Sequence, residues 1–200
     1  DGDGHGVEIW DVSVPEAPVF ISRIEFDIFY RSGADWWLVR PSGDGRTLYC
    51  GDVFNGMYVV DIKDERNPKI IHRWEPLGNS PTNKKNAVSS IALADGVVYV
   101  SVTGEGLYMM ESHRAKPSKR DRGTAPVNLG ARYSYDTPSD SHFNAWVPDR
   151  RGAVKGAAIY GDALFVACGD AGLYTVKKDS RGNLTTVSRL DIPFAGGVAV

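Results

Sequence analysis

The apolar residues of this chain fall in short runs that are hydrophobic on both faces, and the runs recur. Gly6-Val7-Glu8-Ile9-Trp10-Asp11-Val12 returns as Gly56-Met57-Tyr58-Val59-Val60-Asp61-Ile62, with weaker copies at Gly106-Leu107-Tyr108-Met109-Met110-Glu111 and Gly172-Leu173-Tyr174-Thr175-Val176-Lys177. Successive side chains of an extended strand point to opposite faces. Val7 and Ile9 then share one face, while Trp10 and Val12 share the other. A strand that is apolar on both sides belongs to a sheet covered on both sides. A long-period repeat means that one supersecondary unit is stacked several times.

Between the copies, runs of alternating or continuous apolar character are separated by Gly, Asp and Pro turns, which resolves each unit into four short strands. In the second unit these are expected at 35–39, 46–50, 57–62 and 69–75. In the third they are expected at 88–93, 97–102, 107–110 and approximately 127–135, and in the fourth at 154–160, 164–167, 173–177 and 184–191. The opening residues, 1–26, supply only the last two strands of a first unit, and 196–200 the first strand of a fifth. The fourth strands carry their own mark, Arg23-Ile24-Glu25, Arg73-Trp74-Glu75, Arg132-Tyr133 and Arg189-Leu190-Asp191. An Arg recurring in one slot reads as scaffold, with the acid two residues on lying on the same face. The extra residue before Arg132 marks a candidate bulge.

The expected fold is therefore all-β: a β-propeller fragment of four-stranded antiparallel blades, with partial blades at both ends and complete ones at 35–75, 87–135 and 153–191. A two-sheet sandwich is the alternative, but it does not require so regular a period.

The run from Gly6 through Asp11, Val12, Ser13 and Pro15 to Pro18 resembles the LVIVD repeat, whose blades read Gly-Leu-x-Ile-Val-Asp-Val-Ser-x-Pro-x-x-Pro. Residues 56–68 match nearly as well, with Lys63 and Glu65 in place of the Ser and the first Pro; the third and fourth copies diverge at Glu111 and Lys177. The resemblance implies a bacterial or archaeal propeller protein exported to the cell surface or periplasm. It implies no activity, because the motif serves folding and propellers host many functions.

Composition narrows the classes. With 42% hydrophobic and 24% charged residues, the 200-residue chain can bury a sizeable core. A formal net charge of −2 lacks the basic footprint of a nucleic-acid binder. No apolar run approaches the ~20 residues of a membrane span. The chain opens in a turn and closes on Gly197-Val198-Ala199-Val200, which reads as a piece of a longer protein. Cys50 and Cys168 sit in matching Cys-Gly-Asp tripeptides and are expected at equivalent, widely separated repeat positions as small buried hydrophobes.

Chemistry is sparse. No two of His5, His72, His113 and His142 sit at metal-ligand spacing, and there is no HExxH, Cys-x-x-Cys or Gly-x-Ser-x-Gly, so neither a metal nor a cofactor is expected. Asp11 and Asp61 end their strands where a carboxylate accepts backbone N–H groups two residues on and closes the turn. Gly2-Asp3-Gly4-His5-Gly6, Gly51-Asp52 and Gly169-Asp170 read as turns. Arg114, Lys116, Lys119, Arg120 and Arg122 form a solvated basic loop.

The links from each fourth strand to the next first strand stand apart, being long and rich in side chains. They carry Phe29, Tyr30 and Arg31, leading to Asp35; then Asn83 and Lys84; then Asp140, His142, Asn144, Trp146 and Arg150. Aromatics mixed with acids, amides and Arg on loops over a rigid scaffold make a recognition surface, and these eleven residues are the ligand-binding candidates. The expected ligand is a protein or a carbohydrate. The competing reading is a hydrolase- or lyase-like enzyme at a central channel mouth, using His142, Asp140, Asp35 or Lys155.

Overall fold

In the computed structural model the described residues are 6–26, 36–52, 56–74, 88–94, 96–103, 106–111 and 146–200. They form thirteen strands: β1 Gly6–Asp11, β2 Val19–Glu25, β3 Trp36–Pro41, β4 Thr47–Asp52, β5 Gly56–Asp61, β6 Lys69–Trp74, β7 Val88–Ala94, β8 Val97–Val102, β9 Gly106–Glu111, β10 Gly156–Tyr160, β11 Ala163–Ala167, β12 Leu173–Lys178 and β13 Leu184–Leu190. There is no helix among the described residues. The strands make four antiparallel sheets in chain order: β1-β2, β3-β4-β5-β6, β7-β8-β9 and β10-β11-β12-β13.

Three joints built alike hold the sheets face to face, and the repeated strands β1, β5, β9 and β12 explain how. In β1, β5 and β9 the second and fourth residues point at the following sheet; the third and fifth of β5 and β9, and Tyr174 and Val176 of β12, point at the preceding one. Val7 and Ile9 meet Tyr58 and Val60, together with Leu48 and Cys50. Met57 and Val59 meet Tyr108 and Met110, with Val98 and Val100. Leu107 and Met109 meet Tyr174 and Val176, with Leu164 and Val166. This is why the runs are apolar on both faces. An edge-to-face aromatic pair rivets each joint: Phe26 on Tyr58 (centroids 4.8 Å apart), Trp74 on Tyr108 (5.0 Å) and Trp146 on Tyr174 (5.2 Å).

The repeated glycine has a physical cause. Gly56, Gly106 and Gly172 have φ of +84°, +132° and +89°, a region that side chains disfavour. A Cβ at Gly6, Gly106 or Gly172 would also run into the carbonyl oxygen of Ile24, Trp146 or Leu190 on the fourth strand.

Across the second and third joints the sheets approach through their first and second strands, β3 and β4 with β7, and β7 and β8 with β10. The tie is partly polar: Ser89 Oγ donates to the Val154 carbonyl (2.9 Å), and the Ala157 N–H donates to Ser90 Oγ (2.9 Å). Asp11 and Asp61 accept the N–H of Ser13 (2.8 Å) and Lys63 (3.0 Å), closing their turns as expected.

The structure departs from the sequence reading in four places. A bulge interrupts every four-residue approach of third to fourth strand where both are described, leaving Ile21, Ile71 and Val187 without a register partner. Cys50 and Cys168 are not equivalent: Cys50 pairs with Tyr58, whereas Cys168 bonds to Gly172 and so takes the place of Asp52, which pairs with Gly56. Gly51 and Asp52 belong to β4 and not to a turn. Residues 196–200 form no strand; Ala195 alone is bridged to Gly169 (3.0 and 2.9 Å). A strand needs a neighbour to satisfy its backbone groups, and there is none here among the described residues.

Candidate functional site

Of the eleven candidates, Phe29, Tyr30, Arg31, Asp35, Asn83, Lys84, Asp140, His142 and Asn144 lie outside the described residues. Residues 127–135, with Arg132, do too. Trp146 and Arg150 are described, as is the link 147–155 that carries the chain into β10.

Trp146 is a joint residue. Its N–H and C=O exchange hydrogen bonds with Leu107 (3.1 and 2.8 Å), the place that Trp74 takes opposite Met57 and Leu190 opposite Leu173. Trp146 thus bridges β9 at Leu107; the fourth strand expected at 127–135 lies outside the described residues. Its indole is 6% exposed, packs on Tyr174 and donates from Nε1 to Thr186 Oγ1 (2.9 Å). Little of the ring is left to face a ligand.

Just beyond it, Asp149 and Arg150 enter a charge network on the fourth sheet. The Tyr174 hydroxyl donates to Asp149 Oδ1 (2.6 Å), and Arg189 Nη1 lies 3.7 Å from the same oxygen. Arg189 also donates through Nε (2.9 Å) and Nη2 (3.2 Å) to the two oxygens of Asp191, the forked geometry that guanidinium and carboxylate favour. Arg150 Nη1 approaches Asp191 Oδ1 at 3.5 Å. Arg23, Arg73 and Arg189 pair with the same repeat position, held by Glu8, Tyr58 and Tyr174.

The electrostatics favour the charged forms of the two carboxyls. The Tyr174 hydrogen bond, then Arg189, hold Asp149 below the usual carboxylate range. Arg189, then Arg150, do the same for Asp191. Burial, then Asp149, raise the Tyr174 phenol. Groups pushed away from neutrality in this way are poor proton shuttles at pH 7. Asp149 and Asp191 are exposed and each is ion-paired, so the cluster presents an ionic surface. Lys155, the other described residue of the enzyme reading, is half-buried, and its N–H donates to the Ala167 carbonyl (2.8 Å).

Tyr174 and Asp191 were missed by reasoning from the links alone. The available signal was the Tyr recurring at 58, 108 and 174, one position after the repeated strand's first apolar residue. Among the described residues no group of His, Cys, Asp and Glu is placed to hold a metal ion. Both thiols are buried, and burial pushes each up to about 12. Comparison with protein-family models returns no match, and no curated protein matches the chain.

Proposed function

We propose that the chain is part of a β-propeller of the LVIVD-repeat kind, acting as a non-catalytic binding or scaffolding module of an exported or cell-surface protein. It recognises a protein or a glycan through the long links between successive sheets. One observation carries the reading: three joints are built alike, down to the aromatic rivet, while the links between them share no pattern. Residues held constant by packing are scaffold, and variation confined to one set of loops is how a rigid scaffold acquires specificity. The approach of neighbouring sheets through their first and second strands supports radial blades. The chemistry of the described residues also fits, since the ionic cluster at Asp149 is closed on itself.

The test is a binding screen of the purified chain against soluble oligosaccharides and cell-envelope proteins, repeated with Phe29→Ala, Lys84→Ala, His142→Ala and Arg150→Ala. A ligand lost in link variants of unchanged thermal midpoint is expected. Turnover of chromogenic esters or glycosides that disappears in His142→Ala would instead establish the enzyme. A ligand indifferent to every link variant would remove the recognition face from the links.

A further inference from the structure

The turn joining β12 to β13 departs from its counterparts in the first and second sheets. Counted from the repeated glycine, Leu184 holds the place of Pro18 and Pro68, and Asn183 the place of Ala17 and Asn67. The second sheet therefore reads Asn67-Pro68-Lys69 where the fourth reads Asn183-Leu184-Thr185. Asn-x-Ser/Thr, with x other than Pro, is the acceptor triplet for an N-linked sugar. Asn183 is the one asparagine of the chain that heads such a triplet.

The fold presents the triplet to solvent. Asn183 and Thr185 are exposed, and Leu184 between them is buried in the core of the third joint, the alternation of an extended chain. Neighbouring sheets leave such a turn open. In the second sheet, covered on both faces, the matching residues 63–67 and Lys69 are exposed as well. The turn is held from within by Asp179, whose Oδ1 accepts the N–H groups of Arg181 and Asn183 (both 2.8 Å). Asn183 Nδ2 donates to Asp179 Oδ2 (3.2 Å). That nitrogen carries two hydrogens, so replacing one leaves the other for Asp179. There is room beside it: a Cβ on Gly182 would meet nothing within 4 Å.

We propose that Asn183 is the acceptor of an N-linked oligosaccharide. The assignment rests on the exported location argued above, because such sugars are added along the export route. The donor is an oligosaccharide carried on a lipid pyrophosphate. The bond from its anomeric carbon to the pyrophosphate oxygen breaks, and that carbon bonds to Asn183 Nδ2. The lipid pyrophosphate leaves with the electron pair, and the amide gives up one proton to a base of the transferring enzyme. Transfer precedes closure of the hairpin, since in the fold the Thr185 hydroxyl that the enzyme reads is turned to the Lys177 carbonyl (3.3 Å). Once folded, the sugar stands at the Leu184 end of β13, about 20 Å along the strand from the link that leaves after Leu190. It solvates that rim and leaves the link face clear.

The full chain, sent through the secretory route of an N-glycosylating cell by an added signal sequence, tests this by intact mass and peptide mapping. Supplying the signal separates the two readings: the result does not depend on where the protein resides, and failure leaves recognition through the links standing. A mass increase is expected, removed by an N-glycan amidase that leaves Asp at position 183. Asn183→Gln and Thr185→Ala should abolish it, and Thr185→Ser should retain it. These changes are at exposed turn positions, so circular dichroism of every variant should match the wild type. Pro68→Leu combined with Lys69→Thr should add a second sugar, at Asn67. Secreted wild-type chain with Asn183 unmodified would overturn the proposal, as would a mass increase that survives Asn183→Gln or Thr185→Ala.

Discussion

Replacing Trp146 tests whether the joints are built as described. Its backbone bonds to Leu107 survive any side-chain change, so the measured loss reports the indole alone. Truncating a buried aromatic costs about 3–5 kcal/mol. Within that, the edge-to-face contact with Tyr174 accounts for about 1 kcal/mol, and the Nε1–H to Thr186 bond for about 1 kcal/mol. For a chain of this length each kcal/mol moves the thermal midpoint by roughly 2–4 °C. Trp146→Ala should then melt roughly 6–20 °C lower. Trp146→Phe keeps the ring edge and loses the donor, and Thr186 is exposed enough for water to replace it, so the loss should be about 1–2 kcal/mol. The decisive measurement is a double-mutant cycle of Trp146→Phe with Thr186→Val in urea, followed by far-UV circular dichroism. The double variant should fall short of additivity by about 1 kcal/mol. Full additivity would refute the hydrogen bond to Thr186, and a Trp146→Ala chain within about 1 kcal/mol of wild type would refute the rivet.

Gly172→Ala should cost about 3 kcal/mol, combining a positive φ with a contact 2.5 Å from the Leu190 carbonyl oxygen. Gly182→Ala, with a similar φ and open space around it, should cost only about 1 kcal/mol; urea midpoints compare them. Cys50 and Cys168 should be inert to a thiol reagent at pH 8 in the native chain and both react once it is unfolded. Asp149 and Asp191 titrate below their ordinary 3.8 when folded, so their contribution is present above that value and is lost as pH falls through the lower folded value. Asp149→Asn should flatten the fall of the urea midpoint on acidification. Arg189→Ala should barely move the midpoint at neutral pH, since Asp191 is exposed.

The repeated strands were legible because burial on both faces leaves an unbroken apolar run, with a glycine wherever the fourth strand's carbonyl crowds the backbone. The bulges at Ile21, Ile71 and Val187 were not, because Ile and Val suit a regular strand equally well and nothing in their identity marks the irregularity. Matching Cys-Gly-Asp to Cys-Gly-Asp misplaced Cys168 by two residues; the ladder takes its register from Gly172, not from the resemblance of tripeptides. In the candidate site, composition singled out Trp146 and Arg150, but composition does not distinguish an aromatic aimed at a ligand from one folded into a joint. The Tyr174–Asp149 bond joins residues 25 apart in sequence and leaves no local pattern.

Each joint ties one sheet to the next through its own aromatic pair, Phe26 with Tyr58, Trp74 with Tyr108 and Trp146 with Tyr174. When stacked units are held through their neighbours, stability is close to a sum of unit and joint terms. Damage at one joint is therefore felt by the two sheets that share it, and the chain tolerates change unit by unit, each joint drifting in sequence at its own pace.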